Sequence, residues 1–320
     1  MRKKSRIWLV AATSFVLVGL SMFAAAMTAY HWDFTKLTTK KYETNTYQIS
    51  GEFHSIRMNT DTANIVFVPS GDGECKVVCY EAENARHSVS VQDGTLTIHA
   101  VNTRQWYESI GINIGTPKIT VYLPERSYAS LFIQESTGDI EILQDFMFES
   151  IEIATSTGDV KNGASALQTI RVKTSTGNIC MENAAAEALD LSVSTGHVTV
   201  SSVTCKGDIK IKVSTGKANL TSIRCKNLIS DGNTGDITLK NVIATENFSI
   251  ERTTGDVKFD RCDAAEIIIK TDTGDVTGNL LTAKVFMTQT DTGKVDVPKT
   301  ITGGRCRLNT DTGDIKITVG

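Results

Sequence analysis

Beyond residue 48 the apolar residues fall two apart, and the pattern restarts at a fixed interval. Pairs such as Ile151/Ile153, Ile170/Val172, Leu189/Leu191, Ile209/Ile211, Phe248/Ile250 and Ile267/Ile269 have the period of a strand with one buried face. Five residues after the second member of each pair stands the Gly of a Thr-Gly step. Ten such glycines follow one another 19 or 20 residues apart: Gly138, Gly158, Gly177, Gly196, Gly216, Gly235, Gly255, Gly274, Gly293 and Gly313. Two residues after each is an aliphatic side chain, from Ile140 and Val160 through to Val295 and Ile315. Each unit therefore reads as strand, tight turn, strand and a more variable return, with Gly where the turn demands a positive φ.

A short fixed period marks a repeat architecture, because one unit cannot bury its apolar face alone and must stack on its neighbours. Equivalent residues keep their identity from unit to unit, as expected when they lie directly above one another at ~4.8 Å in parallel coils. The expectation is an all-β fold: a right-handed parallel β-solenoid of about ten coils, a rod roughly 50 Å long. The closing phrase "TDTGDIKI" (residues 310–317) has a near-copy, "TDTANIVF" (60–67), in which Ala63 replaces the glycine.

Residues 49–134 keep strand character but lose the period, and are read as an N-terminal β cap over the first coil; residues 135–320 are the solenoid. Within the cap, "HSVSVQDGTLTIHA" predicts a hairpin turning at Asp93-Gly94. Residues 31–48 are polar and read as a linker. Before them, residues 7–30 form an uncharged run long enough to span a bilayer as a helix, with Trp8 and Trp32 near its ends. Residues 1–6 carry Arg2, Lys3, Lys4 and Arg6. The positive-inside rule keeps this basic tail cytoplasmic and makes the rest a single-pass protein of the cell membrane with an extracytoplasmic domain. The alternative is a signal peptide cleaved near Ala24-Ala25-Ala26, which releases a secreted domain.

The order of membrane segment, "TDTANIVFVP", "KITVYLP" leading into "LFIQESTGDIEI", and then serial "STGD" coils resembles the bacterial "putative adhesin" family of β-strand repeat domains of unknown function. The resemblance spans about residues 49–320. It implies a β-solenoid at the bacterial cell envelope, in surface interaction or envelope-stress signalling, and no catalytic residues.

Candidate chemistry adds little that is catalytic. The sequence has no Gly-x-Ser-x-Gly, His-Glu-x-x-His or Walker loop, and its five histidines share no ligand spacing. No pair-of-pairs cysteine spacing points to zinc. Cys205 and Cys225 each lie nine residues after a turn glycine, so they share a column in adjacent coils, close enough for a disulfide. Acidic residues crowd the last turns: Asp272, Asp291 and Asp311 two before the glycine, Asp275 and Asp314 one after it. Calcium is the one candidate cofactor for these loops, against plain turn chemistry. Taking the four basic residues of the tail from the chain's 33 leaves 29 against 36 acidic ones, a net charge of −7 beyond residue 30 that argues against nucleic acid as a partner.

The reading is a membrane-anchored, non-enzymatic, adhesin-like binding or scaffolding protein, with an envelope protein or glycan as partner. A carbohydrate-active enzyme, a polysaccharide lyase or hydrolase on the same fold, is the alternative. The chain's last strand, with Lys316 and no return loop, is expected to leave an open edge, either protected by Lys316 and its short length or used for self-association or for pairing with a partner's strand.

Overall fold

The computed structural model describes residues 3–29, 31–32, 41–102 and 115–320. The uncharged run lies in a helix, α1 (Lys3–Ala29), whose stretch Trp8–Ala29 has a mean hydropathy of 2.1 and is long enough to cross a membrane. The 27 strands of the described residues join into one sheet that winds as a β-solenoid.

The Gly177 rung shows how one unit is built. Strand Thr169–Thr176 buries Ile170 and Val172; the chain turns at Gly177; strand Ile179–Glu182 buries Ile179 and Met181. A second corner follows at Asn183, in the left-handed region at φ 54°, and then a short strand, Ala185–Ala186. The same corner recurs six residues after successive glycines at Ser202, Ser222, Asn241 and Arg261, with φ between 52° and 56°. Pairing is parallel and in register: Ile170 faces Ile151 on one side and Leu189 on the other, and Val172 faces Ile153 and Leu191. The 19- or 20-residue interval thus becomes continuous apolar columns, each buried aliphatic side chain contributing about 1.5–3 kcal/mol.

The N-terminal end is more ordered than the sequence reading allowed. Residues 42–49 of the expected linker and first cap position form strand β1 (Tyr42–Ile49), whose alternate residues turn toward the end of the stack. After it come β2 (Ser55–Thr62), β3 (Asn64–Pro69), β4 (Cys75–Ala82), β5 (Ala85–Gln92), β6 (Thr95–Asn102), β7 (Lys118–Leu123), β8 (Ser127–Thr137) and β9 (Ile140–Ile142). The boundary drawn between residues 134 and 135 falls inside β8, because the region read as a cap contains solenoid rungs of its own. β2 and β3 make the Ala63 rung, and they lie between β6 and β7 on one side and β8 and β9 on the other, all parallel. Among the described residues antiparallel pairing is confined to this end: β5 covers β6, while β4 covers β7 and is covered in turn by β1. Reversing strand direction closes the parallel edges at this end. The β5–β6 turn has φ 49° at Asp93 and 69° at Gly94, the two positive values of a type I′ hairpin.

At the other end the chain order and the stacking order differ. Strand Glu266–Thr273 of the Gly274 rung pairs with Gly304–Thr312, which pairs in turn with Lys284–Thr292. After the corner, Val276–Leu280 pairs with Ile315–Val319, and that strand with Val295–Asp296. The Gly313 rung is therefore slotted between the Gly274 and Gly293 rungs. This corrects the expectation of an open C-terminal edge: Ile315–Val319 pairs along its length with Val276–Leu280 and at Ile315 and Lys316 with Val295–Asp296, and Ile315 and Ile317 are buried. The outermost rung is that of Gly293, where Met287 and Val295 are exposed.

Candidate functional site

The ten glycines form the sharpest column in the molecule. Their φ values run from 125° to 157°, and a Cβ on any of them would overlap a backbone carbonyl of the adjacent rung. At Gly235 that carbonyl belongs to Gly216. Glycine is required here by the closeness of the rungs as well as by the dihedral.

Beside this column runs a chain of hydrogen bonds. The Asn64 Oδ1 accepts the Asp139 N–H at 3.0 Å, Asp139 accepts that of Asp159 at 2.9 Å, Asp159 that of Asn178 at 2.7 Å, and Asn178 that of His197 at 2.9 Å. His197 accepts the Lys217 N–H through Nδ1 at 2.9 Å. Lys217 has no side-chain acceptor, so the ladder breaks and the Lys217 Nζ instead pairs with the Asp236 carboxylate at 3.0 Å. It restarts from Asp236 to Asp256 (3.2 Å), Asp256 to Asp275 (3.0 Å), Asp275 to Asp314 (2.8 Å) and Asp314 to Lys294 (2.8 Å). Hydrogen bonding to Lys217 and to the Asp256 N–H lowers the Asp236 carboxyl below its usual range.

The calcium candidates occupy this corner but do not converge. Asp275 and Asp314 each give an oxygen to the ladder. Asp272 lies 3.9 Å from the Lys270 Nζ, and Asp291 and Asp311 are exposed. Among the described residues these five supply no group of three ligand atoms within 4.8 Å of one another.

Cys205 and Cys225 are buried in a column of small residues, Cys205 opposite Ala186 and Cys225 opposite Ala244. Both cysteines of this candidate disulfide are free thiols. The Cys205 thiol points at the Glu187 carbonyl, 3.0 Å away, and Cys225 toward that of Ile243. Burial raises the two thiols to about 11 and about 12.

Two polar side chains that the period alone did not single out break the inner columns. Glu135 stands three residues before its turn glycine, beside a cleft of ≈ 290 Å³ that Asp61, Lys173 and Ser175 also line. It is buried, accepts from the Thr60 hydroxyl and from the Ala63 and Thr137 N–H groups, and burial raises its carboxyl to about 7. Arg252, at the same place in its own rung, lies in the core over Gly232 and donates to the Ser230 Oγ at 2.8 Å. Its Nε and Nη1 have no hydrogen-bond partner among the described residues, and burial lowers the guanidinium to about 10. The paired departures Ser230 and Gly232, one rung earlier, are the sequence signal for this side chain.

The sequence model of the family described as Toastrack DUF4097 matches residues 53–212 and 206–320. The chain belongs to the Toastrack DUF4097 family. No curated protein matches it. Among solved structures, this Toastrack chain is similar to a "putative adhesin" from Bacteroides fragilis (18% identity, 88% of this chain and 99% of that one, TM-score 0.41). A "putative lipid binding protein" from Parabacteroides distasonis is 14% identical over 88% of this chain and 98% of its own, with a TM-score of 0.48. A "putative adhesin" from Parabacteroides merdae is 12% identical over the same shares, with a TM-score of 0.45.

Proposed function

We propose that this Toastrack protein is a membrane-anchored, non-catalytic binding or scaffolding module whose solenoid stands outside the cytoplasm, in surface interaction or envelope-stress signalling. The observation that supports this reading is a single uninterrupted sheet behind an apolar helix. From the Ala63 rung to the Gly313 rung the strands on either side of each glycine corner pair with the rungs above and below, so the outer walls are regular. Their outward rows mix charges across neighbouring rungs, as in Glu141/Lys161 (3.6 Å), Arg171/Asp190 (3.3 Å) and Glu251/Lys270 (3.4 Å). Exposed pairs of this kind stabilise by at most ~1 kcal/mol each, and they leave a flat polar surface suited to recognition over many rungs.

Photo-crosslinking in intact cells tests the reading. A benzophenone amino acid at the exposed positions Lys161, Lys210 or Lys258 is expected to give a discrete adduct on at least one wall. Absence of adducts from all three, in protein confirmed to be at the membrane, would contradict a binding role for these walls.

A further inference from the structure

Three side chains with metal-ligand chemistry, drawn from nine consecutive residues, meet at the closed N-terminal end of the stack. Cys79 and Glu81 are alternate inward residues of β4, and His87 lies on β5, so the antiparallel strands that cover the two walls meet at this point. One ligand atom from each lies within 4.8 Å of the other two, and among the described residues theirs is the group of this kind. All three are buried; the Glu81 side chain is 0% and the His87 side chain 5% exposed.

The carboxylate is held in place. Glu81 Oε2 accepts the His87 backbone N–H at 2.7 Å and lies 2.6 Å from the His87 Nδ1, while Oε1 accepts from Asn45 Nδ2 at 2.7 Å. The Tyr47 hydroxyl donates to the His87 carbonyl at 3.0 Å. Asn45 and Tyr47 both come from β1. The Cys79 thiol beside this pair has no hydrogen-bond partner among the described residues. A buried Glu–His pair alone needs no metal, but a soft sulfur ligand set against it completes a nitrogen, oxygen and sulfur donor set of the type that holds zinc.

We propose that Cys79, Glu81 and His87 bind one zinc-class divalent cation, which staples β4 to β5 and so locks the N-terminal end of the solenoid. On binding, the Cys79 thiol proton leaves to solvent, and His87 serves as a neutral imidazole that keeps one proton on the ring nitrogen the cation does not use. Tetrahedral zinc, with bonds of ~2.0–2.2 Å to nitrogen and oxygen, separates two such ligands by roughly 3.3 Å. The 2.6 Å contact must therefore open by less than an ångström. The Asn45 and backbone bonds to Glu81 supply the supporting contacts that metal ligands need.

The test uses the full chain in detergent, stripped of metal and titrated with Co²⁺ and then Zn²⁺. The expected result is one equivalent of Co²⁺ with a thiolate-to-cobalt absorption band, displaced by Zn²⁺. Cys79→Ser should abolish that band, His87→Gln should weaken binding about tenfold or more, and Cys180→Ser, at a half-exposed thiol elsewhere, should change nothing. Because His87→Gln also breaks the pair with Glu81, Cys79→Ser carries the decision. Hydrogen exchange on the wild type gives a readout independent of any variant: one equivalent of Zn²⁺ should slow exchange in β1, β4 and β5 and leave the later rungs alone. Absence of one-equivalent binding, a thiolate band that survives Cys79→Ser, or unchanged exchange in those three strands overturns the proposal.

Discussion

Glu135 occupies a position where Thr60, Thr155, Thr174, Thr271 and Thr310 place a hydroxyl in other rungs. Burial pushes its carboxyl up to about 7, from an ordinary value of 4.5. The unfolded chain gives up this proton first. The contribution of the neutral form is therefore fully present below pH 4.5 and is lost as the pH rises through 7, a loss of about 3 kcal/mol at most. Glu135→Gln keeps an acceptor for the Ala63 and Thr137 amides without the charge. It should flatten the pH dependence of stability between pH 4.5 and 7 and stabilise the protein by about 1–3 kcal/mol at pH 8. Urea unfolding of both proteins at pH 5 and pH 8 checks this, and parallel shifts in the two would show that Glu135 is not the group responsible. The position was legible in the sequence as an exception to a column. Its state was not, because the cleft and the amides around it come from three separate strands.

Among the elements, the Thr-Gly corner is the one the sequence specified most fully, and its period gave the rung, the turn and the buried columns together. The second corner escaped notice because Asn183, Ser202, Ser222, Asn241 and Arg261 share a dihedral but no residue type. The corner ladder was visible only as a run of Asp and Asn, with nothing in the sequence to show that each side chain bonds the next rung's backbone. Gly235→Val adds a side chain against the Gly216 carbonyl at a positive φ and is expected to cost about 3 kcal/mol or more. Asp236→Ala removes one acceptor and the pair with Lys217, and about 1 kcal/mol is expected from that loss. Thermal melts of the two variants provide the comparison, and equal shifts would contradict the close stacking of the glycine column.

Across the whole molecule, the two near-copies noted in the sequence hold equivalent places. "TDTANIVF" and "TDTGDIKI" each lie in a rung with parallel neighbours on both sides, next to a rung that the chain lays down out of order. Period alone could not reveal this, since the interval from Gly293 to Gly313 is the same 20 residues whether the last coil sits outside or inside its predecessor. The outward signs were local. Thr288 stands in an inner column where most rungs carry Ile, Leu or Val, and Pro298 with Gly303-Gly304 breaks the return segment. The meeting of Cys79, Glu81 and His87 was likewise illegible, because it depends on how antiparallel strands fold back over the end of a parallel stack. Engineered disulfides test the threaded order most directly. Lys270 is paired with Asn309, and Asn309 with Gln289, so Lys270 and Gln289 lie two rungs apart at ~9.6 Å, beyond the ~4.4–6.8 Å that a disulfide spans. Under mild oxidation the pair Lys270→Cys with Asn309→Cys should crosslink, as read by peptide mass spectrometry, and Lys270→Cys with Gln289→Cys should not; the reverse outcome would show that the coils stack in simple chain order.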